Sequence, residues 1–235
     1  KSRLCLGGPV FAAASALPKF RHHQTPEQLR ARLASSSAKS ATAFATRNIA
    51  HIGHQYQQTR ALEENGVLGI NVITGAEIKG NFLPDVIFET YEYLAGAVYP
   101  EGMCFLNNLR LPPLYGGPKE AFLQATMMQN YGFTHFVVGR DHAGVGDYYG
   151  PFEAQHVFDT LWDGALITQP LKIGVTFFCG KCYGMATAKT CCPCSTNPAG
   201  HQRRWSYFRP RTYHAKRRKA SRRCWSSHRL PTKNS

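Results

Sequence analysis

Two short segments hold most of the residues whose types and spacing could do chemistry. The first is Thr46-Arg47-Asn48-Ile49-Ala50-His51-Ile52-Gly53-His54. On a helix, His51 and His54 share one face of the first turns. Gly53 between them leaves room for a ligand close to the backbone. A helix N-terminus with unused N–H groups favours an anion, and an arginine such as Arg47 can grip two phosphate oxygens at once. The plain alternative is two ordinary helix histidines, but the Thr-Arg-Asn triplet ahead of them favours the anion site. The second segment is Gly139-Arg140-Asp141-His142-Ala143-Gly144. Its glycines bracket a loop in which Arg140 and backbone amides can meet an anion, while Asp141 and His142 can bind hydroxyls or a base. Read alone, it is equally a polar turn with a surface ion pair.

A third group is made of cysteines. Cys179, Cys182, Cys191, Cys192 and Cys194 fall close together, whereas Cys5, Cys104 and Cys224 are scattered. A C-x-x-C followed closely by further cysteines points to a metal rather than a disulfide framework.

The elements that must position these groups alternate along the chain. Thr25-Pro26-Glu27-Gln28 has the form of a helix start, with Thr as N-cap, Pro in the first turn and Gln three residues on; that helix is expected to run to Leu33. Strands are expected at Thr42–Ala45, Val67–Ile73, Met103–Leu109, Thr134–Val138 and Leu171–Phe178. Helices are expected over Ile49–Glu63, Pro84–Ala95 and Pro118–Asn130, with another opening at Pro151. Such alternation predicts an α/β fold, a mostly parallel sheet covered on both faces. Ligands in such sheets bind beyond the carboxyl ends of the strands, where both polar segments fall.

Composition bounds the rest. The chain has 235 residues, a mean hydropathy of −0.33 and a net charge of +14. No apolar run reaches the ~20 residues that span a bilayer. The charge is lopsided. Residues 192–235 hold twelve Lys/Arg and no acid, which leaves the body at +2. This tail has no apolar periodicity. A basic nucleic-acid arm, with Trp205, Tyr207 and Phe208 available to stack on bases, is one reading of it.

Taken together, the motifs resemble the ATP sulfurylase (sulfate adenylyltransferase) family of the H-x-G-H nucleotidyltransferase superfamily. The pair T-R-N-x-x-H-x-x-H and G-R-D-H-A-G carries the resemblance. Gly75–Gly80 (GAEIKG), Tyr115–Ala121 (YGGPKEA), Asp147–Gln155 (DYYGPFEAQ) and the Cys179–Cys191 region follow the family's phrases in the same order, over roughly residues 7–191. The resemblance implies a Rossmann-like nucleotidyltransferase domain and transfer of AMP from ATP to sulfate. The products are adenosine 5'-phosphosulfate and pyrophosphate, and the reaction can run in reverse. It implies catalytic roles for Thr46, Arg47 and Asn48, with Arg47 also binding sulfate. His51, His54, Gly139, Arg140, Asp141 and His142 are implied to bind ATP, and the Ala143 backbone to contact sulfate. Mg²⁺ is expected to arrive with ATP. Cys179, Cys182 and Cys191 match three zinc ligands of some members. The family's fourth ligand, a histidine, is missing, and Cys194 is the candidate replacement for a bound Zn²⁺.

The resemblance also divides the chain. Residues 1–24 are expected to be the remnant of an N-terminal PUA-like barrel and a linker, 25–178 the catalytic domain and 179–194 the cysteine cluster. Residues 195–235 are expected to be a basic tail, disordered or translated out of frame. A cytoplasmic enzyme is expected, a homo-oligomer when full length, without membrane or nucleic-acid partners. The alternatives are an inactive fragment of the family, a different H-x-G-H adenylyltransferase, or a zinc- and arginine-rich nucleic-acid-binding protein. Ala45 stands where the family usually has Gln, Ile49 where it usually has Pro, and Pro113-Leu114 where it has Met-Arg. Each lost donor beside a bound anion would cost ~1–3 kcal/mol.

Overall fold

In a computed structural model of the chain, residues 8–9, 20–36, 38–75, 81–112, 114–179 and 183–191 are described. The capping box forms as the sequence requires. Thr25 N–H donates to Gln28 Oε1 at 2.9 Å, and Gln28 N–H donates to Thr25 Oγ1 at 3.2 Å. This starts α1 (Pro26–Ser35). The alternation then follows as β1 (Ala41–Thr46), α2 (Ile52–Asn65), β2 (Val67–Ile73), α3 (Pro84–Ala97), β3 (Cys104–Leu109), α4 (Pro118–Asn130) and β4 (His135–Val138). A short α5 (Glu153–His156) with a 3-10 turn over Val157–Thr160 leads to β5 (Gln169–Lys172). A separate hairpin joins β6 (Thr176–Cys179) to β7 (Gly184–Thr187).

The main sheet has the order β3-β2-β1-β4-β5, and all four pairings are parallel. Strand side chains alternate between two apolar layers, as the pleat demands. Ala43, Phe136 and Val138 join Leu29 of α1 and Ala121, Ala125 and Met128 of α4 on one face. Phe44, Ile70 and Val137 join Ala61 of α2 and Phe88, Tyr91 and Leu94 of α3 on the other. From β1 the chain builds outward through β2 and β3, then returns to place β4 on the opposite side of β1. That reversal opens a crevice at the carboxyl ends of β1 and β4.

Three expectations change. Helix α2 starts at Ile52, not Ile49, because Ala50 N–H is held by Thr90 Oγ1 at 3.0 Å and Ile49 and Ala50 pack toward α3 instead of winding into a helix. The expected strand Leu171–Phe178 is two strands. Gln155 Nε2 donates to both Val138 O and Ile173 O at 2.8 Å, which closes the β4–β5 ladder. Beyond Gly174 the chain pairs antiparallel with β7. The helix expected at Pro151 is reduced to a single turn, Glu153–His156. Residues 20–24, expected as linker, cover the β3 edge. Asn108 N–H donates to His22 O at 3.0 Å and Gln24 Nε2 to Leu106 O at 3.1 Å, so this edge is not open to another strand.

Candidate active site

Thr46 ends β1 and Gly139 follows β4, so parallel pairing brings the two polar segments to one edge of the sheet. They enclose a cavity of about 550 Å³, within the range of small-molecule sites. Thr46, Arg47, Asn48, His51, His54, Gly139, Arg140, Asp141, His142 and Ala143 all line it.

The start of α2 differs from the expected anion cradle. His51 is the N-cap, with extended backbone, and its Nδ1 accepts from Gly53 N–H at 3.1 Å and His54 N–H at 3.3 Å. Gln55 N–H is taken by His51 O at 3.0 Å. These first-turn amides are therefore occupied by His51 itself. Because Nδ1 accepts, the neutral ring carries its proton on Nε2. His54 stacks on His51 with ring centroids 3.7 Å apart. Behind it, Tyr91 Oη lies 2.9 Å from His54 Nδ1. Burial lowers the pKa of both histidines. For His54 it falls to about 3, with the neighbouring His51 charge adding to the shift and the Ile49 carbonyl opposing it. Lowered pKa values favour neutral rings at pH 7, so what these histidines can give is the hydrogen bond of a neutral N–H and not a full charge.

Arg47 supplies the charge. Its guanidinium lies over the Tyr115 ring, and its Nη1 is buried without a hydrogen-bond acceptor among the described residues. A buried guanidinium nitrogen without an acceptor is costly unless a ligand satisfies it. Asn48 is exposed at the rim, with its N–H on Thr46 Oγ1 at 3.2 Å.

The 139–144 loop is held in a demanding shape. Asp141 and Ala143 both have left-handed backbones, with φ of 53° and 54°. The loop is anchored by Asp141 N–H to Pro151 O at 2.7 Å and by Gly117 N–H to Ala143 O at 3.0 Å. Burial raises the Asp141 pKa, Arg140 opposes that, and Asp147 adds to it. The His142 pKa falls to about 4 through burial and the nearby Arg47 charge.

Sequence reading missed part of the wall: Gln57, Asn81, Gln124 and the stretch 174–177 also face the cavity. Gln57 is one helical step from His54 and was findable by spacing. Gln124 sits mid-helix with no local signal, and residues 174–177 reach the cavity only because the expected last strand breaks at Gly174. Ala45, where the family usually has Gln, also lines the cavity.

Among the described residues, no group of three or more His, Cys, Asp or Glu side chains is placed to hold a metal. Cys179 is buried, and Cys191 packs against the same small cluster as Phe177 and Ala186. Two cysteines in one cluster would be half of the tetrahedral set that zinc takes. Cys182 and Cys194, the residues 76–80 of the GAEIKG motif, Pro113 and the basic tail lie outside the described residues. No helix among the described residues is long and apolar enough to cross a membrane.

The sequence model of the ATP-sulfurylase family matches residues 21–206. The chain belongs to the ATP-sulfurylase family. Its members include the sulfate adenylyltransferase of Carboxydothermus hydrogenoformans, 46% identical over 167 residues, covering 71% of this chain and 44% of that protein. The sulfate adenylyltransferase of Ignicoccus hospitalis is 38% identical over 192 residues, covering 81% of this chain and 50% of its own length. The chain thus spans about half the length of these relatives. A solved structure titled hexameric APS kinase from Thiobacillus denitrificans superposes with a TM-score of 0.54 at 18% identity, over 76% of this chain and 34% of that one. At that identity the likeness establishes the fold alone. The family match continues past Cys191, where the quoted motifs end, to residue 206.

Proposed function

We propose that this chain carries the adenylyl-transfer site of a sulfate adenylyltransferase. The observation that carries the reading is the buried Nη1 of Arg47, without an acceptor among the described residues, in a cavity shared with His51, His54 and the 139–144 loop. A tetrahedral oxyanion fits such a donor set. The relatives named sulfate adenylyltransferase support the reading through the half of their length that they share with this chain.

In this reading a sulfate oxygen attacks the α-phosphorus of ATP in line. The new S–O–P bond forms as the bond from α-phosphorus to the bridging oxygen breaks, and pyrophosphate leaves with that electron pair. Little proton transfer is needed, so catalysis is positioning plus stabilisation of moving charge. Arg47 binds sulfate and the transition state, with Thr46 and Asn48 holding its loop. His51 and His54 face the phosphates. Gly139, Arg140, Asp141 and His142 take the nucleotide, and the Ala143 backbone meets sulfate. Mg²⁺ accompanies ATP, bound mainly through the phosphates. A whole protein built on this half as a cytoplasmic homo-oligomer belongs to the same proposal, as does a zinc ion on Cys179, Cys182, Cys191 and Cys194. Zinc content of purified protein, with Cys179→Ser as control, tests the last point.

The deciding experiment measures sulfate-dependent pyrophosphate release from ATP, and ATP synthesis from adenosine 5'-phosphosulfate and pyrophosphate, with Arg47→Ala alongside. Activity in both directions that Arg47→Ala lowers by about 10²–10³-fold supports the proposal. Folded protein inactive in both directions overturns it and leaves an inactive member of the family.

A further inference from the structure

Glu120 is a carboxylate with only 4% exposure, inside α4 and set back from the reacting groups. One of its oxygens holds a turn directly, and the other reaches a loop through Gln124 of the same helix. Oε2 accepts from Gly116 N–H at 3.0 Å, in the turn that carries Tyr115 under Arg47. Oε1 accepts from Gln124 Nε2 at 3.0 Å. Gln124 in turn places its Oε1 2.8 Å from His142 Nε2.

The direction of this chain is not arbitrary. A carboxylate only accepts, so Gln124 must face Glu120 with its nitrogen. That turns the Gln124 oxygen toward His142, and an oxygen acceptor opposite a ring nitrogen requires a proton on that nitrogen. We propose that Glu120, acting through Gln124, is a positioning residue that holds His142 as its Nε2–H tautomer, so that Nδ1 is offered as an acceptor to a hydrogen-bond donor of the nucleotide. The donor class is a ribose hydroxyl or an exocyclic amine. Phosphate oxygens are excluded at this nitrogen, since they present lone pairs to a lone pair.

Two observations support the assignment. No described residue donates to His142 Nδ1, although the ring lines the cavity. Burial and the Arg47 charge keep the ring neutral near pH 7, which preserves the lone pair. His51 is the same Nε2–H tautomer with the other nitrogen tied up, since its Nδ1 accepts from backbone amides. Two histidines of one cavity thus differ in what they can recognise: His51 gives a hydrogen bond, His142 takes one. The nucleotide half of this inference rests on the adenylyl-transfer reading, and the tautomer half does not.

The test has two arms. Long-range ¹H–¹⁵N correlation on the full chain at pH 7.5 reads the imidazole tautomers directly. His142 is expected as Nε2–H in the wild type. In Glu120→Gln, where Gln124 is free to turn over, and in Gln124→Leu, where the acceptor is gone, a mixture with the Nδ1–H form is expected. An Nδ1–H wild-type ring overturns the proposal without any variant having to fold, and an unchanged tautomer in both folded variants overturns it too. The second arm measures Kd for ATP, 2'-deoxy-ATP, 3'-deoxy-ATP and purine riboside triphosphate. The analogue lacking the recognised donor is expected to bind about tenfold more weakly than ATP, and that gap is expected to shrink to about threefold or less in Glu120→Gln. The deoxy analogues report a hydroxyl and the purine analogue an amine. ATP that binds no differently from all three overturns the nucleotide half. If ATP does not bind at all while the tautomer behaves as stated, the adenylyl-transfer reading fails and the positioning role stands.

Discussion

The guanidinium carbon of Arg47 sits 4.3 Å from the centroid of the Tyr115 ring. The two residues come from separate turns, one after β1 and one before α4. The contact orients the planar cation, and its buried Nη1 has no acceptor among the described residues. Truncating Arg47 to Ala should lower turnover by about 10²–10³-fold, the usual cost of removing a transition-state donor. Tyr115→Leu should lower it by only about 2–30-fold, the value of a cation–π contact. Pyrophosphate release, with circular dichroism to confirm folding, checks both. Equal losses in the two variants would mean that Tyr115 does more than orient Arg47.

His51 has two jobs that substitution can separate. As the N-cap of α2 its imidazole accepts two backbone N–H bonds. His51→Ala should therefore cost about 1 kcal/mol of stability as well as ATP affinity. His51→Asn keeps a good cap but removes the Nε2 donor. It should unfold at nearly the wild-type urea concentration while binding ATP more weakly. Urea titration beside ATP titration makes the comparison, and an Asn variant with full affinity would remove His51 from the phosphate site.

The buried histidines make stability depend on pH in one direction. The pKa values of His54 and His142 are depressed to about 3 and about 4, against about 6.5 for the unfolded chain. Below pH 6.5 the unfolded state binds more protons than the folded one, so stability falls with pH from there down to about 4 and 3. Above pH 6.5 these groups contribute no slope. Melting temperature measured from pH 8 to pH 4 should be flat, then decline, and His54→Gln should flatten part of the decline. An unaltered decline in that variant would place its source elsewhere.

Gly117 admits no side chain for two separate reasons. Its φ of 51° with ψ of −120° is a backbone conformation close to glycine-only. A Cβ there would also lie 2.5 Å from the Tyr149 ring. Gly117→Ala should destabilise by at least ~1–3 kcal/mol and loosen the 139–144 loop through the Gly117–Ala143 hydrogen bond. Adding Tyr149→Ala should recover the steric part alone. Denaturation midpoints of the single and double variants read this, and full recovery would mean that the backbone conformation costs nothing.

Local chemistry determined a good deal of this protein before any coordinates. The Thr25–Gln28 capping box, the proline-led helices α3 and α4 and the buried β2 each state a local preference that nothing in the packing opposes. The two polar segments were legible as well, because a loop following a parallel strand must emerge at the strand's carboxyl end. Tertiary contacts decided the rest. Thr90, from the next helix, takes Ala50 N–H and delays α2 by three residues, which makes His51 a cap instead of a helical residue. Gln155, from another segment, closes the β4–β5 ladder and frees residues 174–177 to line the cavity. The Glu120–Gln124–His142 relay joins one helix to a loop eighteen residues further along the chain. Such partners are set by where the folded chain brings groups together, and residue spacing carries no record of that distance.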